Sequence, residues 1–224
     1  MTRRRRRRRP ARLAALTLTA AVALTLSACG GDGNSSDETD KIADASTAGS
    51  APAASPTTSE PSTVDRPDIE LPSDLSYKFD WPSTGDEDED AVLADSEQSI
   101  MAVDLAIVNQ DALDEAYLTY YEGEAAASTQ EFIQAYVREK ARVTGSYRYY
   151  DAAVNMRAKD TASLVYCEDQ SRAYDMYLKP KKVNKTPVTR NSYVLYNTQL
   201  AKNHNGIWVV EKMRSQRGSD RCQP

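Results

Sequence analysis

The chain has 224 residues, enough for one or two domains, and 27% charged and 40% hydrophobic residues place it among water-soluble folds. A single histidine, His204, excludes a Ser-His-Asp triad and a multi-histidine metal site, and no Gly-x-Ser-x-Gly elbow or phosphate-binding glycine loop occurs. Charge is distributed unevenly: residues 1–28 carry eight arginines and no acid, residues 29–90 carry 16 acids and 3 bases, and residues 91–224 are balanced at 17 of each.

The chain opens with "MTRRRRRRRPAR", a strongly positive run, followed by the apolar stretch "LAALTLTAAVALTL" over residues 13–26. Fourteen apolar residues fall short of the roughly 20 needed to cross a bilayer, but they match the apolar region of an export signal. "LSAC" follows, ending at Cys29, and with these flanks it resembles the lipobox of bacterial lipoproteins. That resemblance implies a signal peptide over 1–28, cleavage before Cys29, and lipid on the Cys29 thiol and new amino terminus. The membrane would then be a partner, held through several acyl chains, and the protein would sit on the outer face of the cell membrane. The mature chain would carry 20 bases against 33 acids. The arginine run leaves general secretory and twin-arginine export both open, the former favoured because no hydrophobic residue follows the pair closely.

Residues 29–85 are rich in Gly, Ser, Thr, Pro, Ala and Asp, and nothing in most of this stretch can be buried, so a disordered tether is expected. Within it, "LSYKFDWP" (75–82) alternates Tyr77, Phe79 and Trp81, and reads either as a strand docked on the domain or as an exposed segment. "DEDEDAVLADSE" (86–97) sets Asp86, Asp88, Asp90 and Glu97 at calcium-loop spacing, yet Ala91 stands where the sharp turn needs glycine. An acidic first helical turn, favoured by the helix dipole, is the better reading.

Leu93, Ile100 and Ile107 recur every seven residues and predict a long helix over 88–109. A shorter helix is expected over 111–121. A third is expected over 128–145, opened by a capping box at Ser128-Thr129-Gln130-Glu131 and closed by Gly145. Beyond Gly145 the period becomes two. Strands are expected over 146–160, 161–170 and 171–178, then a basic loop "KPKKVNKTPVT" (179–189), then strands over 190–202 and 207–217 joined at Asn205-Gly206, a strong hairpin signal. Helices on one face of an antiparallel sheet of four to five strands make an α+β domain over 86–224.

A long helix, two short ones, and a sheet ending in Gly206-Ile207-Trp208 resemble the nuclear transport factor 2-like fold, over about residues 86–222. Many actinobacterial lipoproteins and mammalian-cell-entry-associated proteins look similar: anchor, linker, one such domain. The resemblance implies a cone-shaped cavity between sheet and helices. Some members, such as ketosteroid isomerases and polyketide cyclases, are enzymes, while others bind or scaffold.

With Cys29 assigned to lipid, Cys167 and Cys222 remain as an even pair in an oxidising compartment, and a disulfide between them is expected. Twelve of thirteen tyrosines lie beyond residue 116. Tyr147, Tyr149, Tyr166, Tyr193, Tyr196 and Trp208 are candidates to line a ligand pocket, or else to fill the sheet core. Asp104 and Asp151 are the only candidate bases for an isomerase-type reaction, each more simply read as a solvated charge. Residues 91–131 carry nine acids and no base, and residues 132–224 carry 17 bases against 8 acids, which suggests internal charge complementarity or a basic face towards anionic lipid. No metal, cofactor or nucleic-acid partner is expected. The reading that results is a membrane-anchored, non-catalytic binding or scaffolding module. Its alternatives are a carrier of an apolar ligand in the cone and an isomerase or cyclase.

Overall fold

The computed structural model describes residues 64–224. The expected signal peptide (1–28), the Cys29 lipidation site and the tether as far as residue 63 lie outside the described residues. Among the described residues no helix is long and apolar enough to cross a membrane.

A strand, β1 (Leu75–Asp80), precedes three helices: α1 (Glu87–Asn109), α2 (Glu115–Tyr120) and α3 (Gly123–Glu139). Five further strands follow: β2 (Ala141–Ala158), β3 (Thr161–Leu178), β4 (Lys181–Asn184), β5 (Tyr193–Lys202) and β6 (Trp208–Arg217). They form one sheet in the order β1-β2-β3-β5-β6, with β4 paired to β3. All pairings are antiparallel except β1 with β2, where Leu75 stands beside Gly145 and Asp80 beside Tyr150.

The acidic segment before α1 works as helix chemistry. The Asp86 side chain accepts the N–H groups of Asp88 and Glu89, both at 3.0 Å, and four acids fill the first turn. Asp88 and Asp90 pair elsewhere, with Lys202 and with Ser83 and Thr84. At the far end Gln110 adopts φ 56°, and its side-chain amide donates to the carbonyls of Ile107 and Ala141 at 2.7 and 2.9 Å.

Four expectations are corrected. The sheet has six strands rather than four or five, because "LSYKFD" docks in parallel on β2 and part of the basic loop forms β4. The domain starts before residue 86. Val64, Ile69 and Leu71 pack on the core, Arg66 reaches Asp95, and Asp74 pairs with Arg142. These scattered side chains in a polar stretch find apolar and charged partners only in tertiary contact. The third helix starts at Gly123, not at Ser128. The Glu122 N–H donates to the Val210 carbonyl at 3.0 Å, while the Ser128 hydroxyl folds back to the carbonyls of Glu124 and Ala125 inside the helix. The strands expected over 161–170 and 171–178 are one, since β2 continues opposite the polar run and supplies its backbone partners.

Gly145 consequently caps no helix. It lies inside β2 at φ +100°, where a Cβ would stand 2.1 Å from the Arg172 carbonyl oxygen, so only glycine fits. Lys140, at φ 50°, ends α3 instead.

The helices cover one face of the sheet. Trp208, Tyr117, Tyr120, Ile107, Ile133, Leu164 and Leu200 are fully buried between the two layers. Cys167 and Cys222 are joined, with Cα atoms 5.5 Å apart. By strand alternation Cys167 lies on the opposite face from Tyr166 and Glu168, so the disulfide holds the C-terminal turn against the uncovered side of the sheet. There the Tyr150 hydroxyl donates to the Cys222 carbonyl.

Candidate functional site: a tyrosine-walled cavity with two buried acids

Between helices and sheet lies a cavity of about 460 Å³. That is within the size range of small-molecule sites. Its wall on the sheet side comes from side chains two apart along each strand. Tyr147 and Tyr149 come from β2, Tyr166, Glu168 and Gln170 from β3, Tyr196 from β5, and Met213, Ser215 and Arg217 from β6. The helix side supplies Ile100, Val103 and Asp104 from α1, Tyr121 after α2, and Thr129 and Phe132 from α3.

The aromatic residues form a connected wall. Ring centroids are 5.8 Å apart for Tyr77 and Tyr147, 6.3 Å for Tyr147 and Tyr149, 6.0 Å for Tyr149 and Tyr166, and 5.1 Å for Tyr166 and Tyr196. Cross-strand pairing brings this about, since Tyr166 and Tyr196 are direct partners.

Two carboxyl groups interrupt the wall. Asp104 is 8% exposed, and its Oδ2 accepts the Tyr77 hydroxyl at 2.5 Å. Burial raises its pKa to about 7, against the opposing effect of the Tyr77 hydrogen bond, and the Glu168 charge adds to the rise. Glu168, at 5% exposure, accepts the Tyr149 hydroxyl at 2.9 Å and the Gln170 amide at 2.6 Å. Burial also lifts Glu168, while these hydrogen bonds and the Arg217 charge oppose the lift. The Tyr147, Tyr149, Tyr166 and Tyr196 hydroxyls are held well above their usual range, first by burial, so they stay protonated donors.

Arg217 is the single cationic residue of the lining, and its guanidinium donates to Gln170 Oε1 at 2.8 Å and to the Asn191 carbonyl at 3.1 Å. The arrangement can therefore accept hydrogen bonds or positive charge at Asp104 and Glu168, donate from phenols, and exchange a proton at Asp104 near neutral pH. Among the described residues no group of three or more His, Cys, Asp or Glu is placed to hold a metal ion.

Of the residues singled out in the sequence, Tyr147, Tyr149, Tyr166, Tyr196 and Asp104 meet in this cavity. Tyr193 and Trp208 do not. Tyr193 is odd-numbered on β5 and falls on the face opposite Tyr196. Trp208 is completely buried core; its backbone N–H donates to Asp95 at 2.9 Å, and Lys202 Nζ lies 5.0 Å from its ring centroid. Asp151 is exposed at φ 51° in a β2 irregularity, away from the cavity, and His204 is exposed in the β5–β6 turn. Glu168 was missed. Its signal was present, since Ala162, Leu164 and Tyr166 alternate on the inward face and Glu168 continues that register.

No protein-family model matches the chain, and no curated protein matches it in sequence. Solved structures do align with it. A ketosteroid isomerase-like protein from Erwinia carotovora atroseptica SCRI1043 is 14% identical, with 60% of this chain and 98% of that one covered at a TM-score of 0.42. An NTF-2 like protein of unknown function from Shewanella oneidensis MR-1 is 14% identical, with 55% and 97% covered at 0.35. A Nostoc punctiforme domain of unknown function with a cystatin-like fold is 16% identical, with 61% and 79% covered at 0.37. None of these likenesses lends this chain an activity.

Proposed function

We propose that this chain is a lipoprotein of the cell envelope, anchored through Cys29 on the outer face of the membrane, whose nuclear transport factor 2-like domain binds a small molecule in the cavity between helices and sheet. The observation that supports binding over scaffolding is the cavity itself: about 460 Å³ of space behind the helices, lined by aromatic residues. A domain serving only as a scaffold gains nothing from unfilled interior volume, which forfeits packing energy. The ligand is not purely apolar, because Asp104, Glu168 and several phenols open onto the same space.

Binding is tested on the full-length protein by ligand-observed NMR with small aromatic and aliphatic fragments. Ser215→Trp, which puts an indole into the cavity from an exposed position, is expected to abolish binding without lowering the melting temperature. Binding that survives this substitution would place the ligand elsewhere.

A second reading, proton-transfer catalysis, is favoured by one specific pair: Asp104, raised to about 7, hydrogen-bonded to Tyr77. A general base works best with a pKa near the working pH. Solvent-deuterium exchange into bound ketones separates the two readings, since a binding module leaves their α-hydrogens in place.

A further inference from the structure

We infer that the cavity takes an organic ammonium ion, its charge met by the Asp104 and Glu168 carboxylates and its apolar body by the rings of Tyr147, Tyr149, Tyr166 and Tyr196. This rests on the cavity being a binding site and names the class of ligand.

Charge is the first argument. Two acids that are more than nine-tenths buried line one cavity. Besides burial, the groups that shift Asp104 are the Tyr77 hydroxyl from β1 and the Glu168 charge from β3, and the Asp104 charge in turn raises Tyr121 after α2, Tyr136 from α3, and Tyr147 and Tyr149 from β2. Among the described residues no cation lies within ion-pairing distance of Asp104 or Glu168. Arg217 offsets only the Glu168 side, and its guanidinium is already occupied by Gln170 and the Asn191 carbonyl. Buried charges are ordinarily paired, so the missing partner is a cation.

Unused hydrogen-bonding capacity is the second argument. Asp104 Oδ1 accepts nothing among the described residues; the only hydrogen bond to this side chain falls on Oδ2. The Tyr147 and Tyr166 hydroxyls, on residues 8% and 5% exposed, likewise have no protein partner there. A hydrocarbon would leave all of these unsatisfied, at a cost for each. An anion would meet two carboxylates in a site sheltered from water.

The wall is the third argument. Tyrosine faces attract cations through the ring quadrupole, more strongly where water is excluded, and ammonium recognition by grouped aromatic rings follows from that. Here four rings in succession line the space, with neighbouring centroids 5.1 to 6.3 Å apart.

Binding a cation must also expel the proton that Asp104 holds near neutrality. With a pKa of about 7, Asp104 is mostly protonated at pH 6 and mostly ionised at pH 8. Affinity should therefore rise about tenfold between those values.

The test uses two isosteric probes on the full-length protein, choline and 3,3-dimethylbutan-1-ol, which differ in a charged nitrogen against a neutral carbon. Calorimetry at pH 6, 7 and 8 is expected to find choline bound at least about tenfold more tightly, strengthening with pH, while the neutral probe shows no such trend. Asp104→Asn and Glu168→Gln are each expected to weaken choline binding, and Asp104→Asn to flatten its pH dependence, with retained melting transitions as the folding control. Equal affinity for the two probes would overturn the ammonium assignment and leave the binding site standing. So would millimolar choline and butylammonium both failing to bind while neutral aromatic fragments do. If nothing of any class binds, both readings fall.

Discussion

Arg66 grips Asp95 from 29 residues upstream, Nε to Oδ1 at 2.7 Å, and the same fully buried carboxylate accepts the Trp208 backbone N–H at 2.9 Å. One acid on α1 thus ties the segment before β1 to the start of β6. Arg66→Ala would leave the fully buried Asp95 carboxylate without its cation, and Asp95→Ala would leave the Trp208 N–H unpaired beside a partly solvated guanidinium, and each is expected to cost about 3 kcal/mol. Urea unfolding would measure both, and changes under 1 kcal/mol would show that the segment around Arg66 is not integral to the fold.

Gly145 is expected to tolerate no side chain. Gly145→Ala combines a disfavoured φ of +100° with a Cβ 2.1 Å from backbone, so a loss of at least about 3 kcal/mol is expected. Because β1 hydrogen-bonds at this point, with the Gly145 N–H donating to the Asp74 carbonyl at 2.8 Å, hydrogen exchange should quicken first along β1.

Reduction of Cys167–Cys222, which closes a separation of 55 residues, is expected to lower stability by about 4 kcal/mol on the chain-entropy model. The bridge lies on the sheet face away from the cavity, so ligand binding below the new melting temperature should be unchanged. Peptide mapping without reductant should recover the linked pair.

Stability should fall as pH rises between about 4 and 7. Asp104 titrates near 7 when folded and near 3.8 when unfolded. Across that window the folded state holds the extra proton, so raising the pH favours unfolding, by about 4 kcal/mol at most. Glu168 is shifted in the same direction. Asp104→Asn should therefore raise the melting temperature at pH 8 and barely change it at pH 4. A uniform change at both values would mean that Asp104 is not buried and uncompensated in solution.

For the address, mass spectrometry of the mature amino terminus is expected to find acylated Cys29, and Cys29→Ala to release the protein from membranes. An unmodified terminus would end the lipoprotein proposal.

What the amino-acid order determined by itself was local. The seven-residue apolar repeat produced α1 to within one residue of its observed start, Asp86 and the acids after it capped that helix, Asn205-Gly206 turned the last hairpin, and two-residue alternation laid out the two strands that flank it. These follow from hydrogen bonds and side-chain directions within a few residues. Tertiary structure decided the rest. Whether Tyr77 and Phe79 formed a strand depended on a free edge of β2. Where α3 began depended on the Val210 carbonyl, and whether Gly145 capped a helix or sat in a crowded crossing depended on Arg172. The cavity belongs to this second kind. Asp104 and Glu168 are 64 positions apart in the chain, and only closure of the helices over the sheet removes both from water. That removal, not their identity as acids, lifts the pKa of each and leaves them in want of a cation.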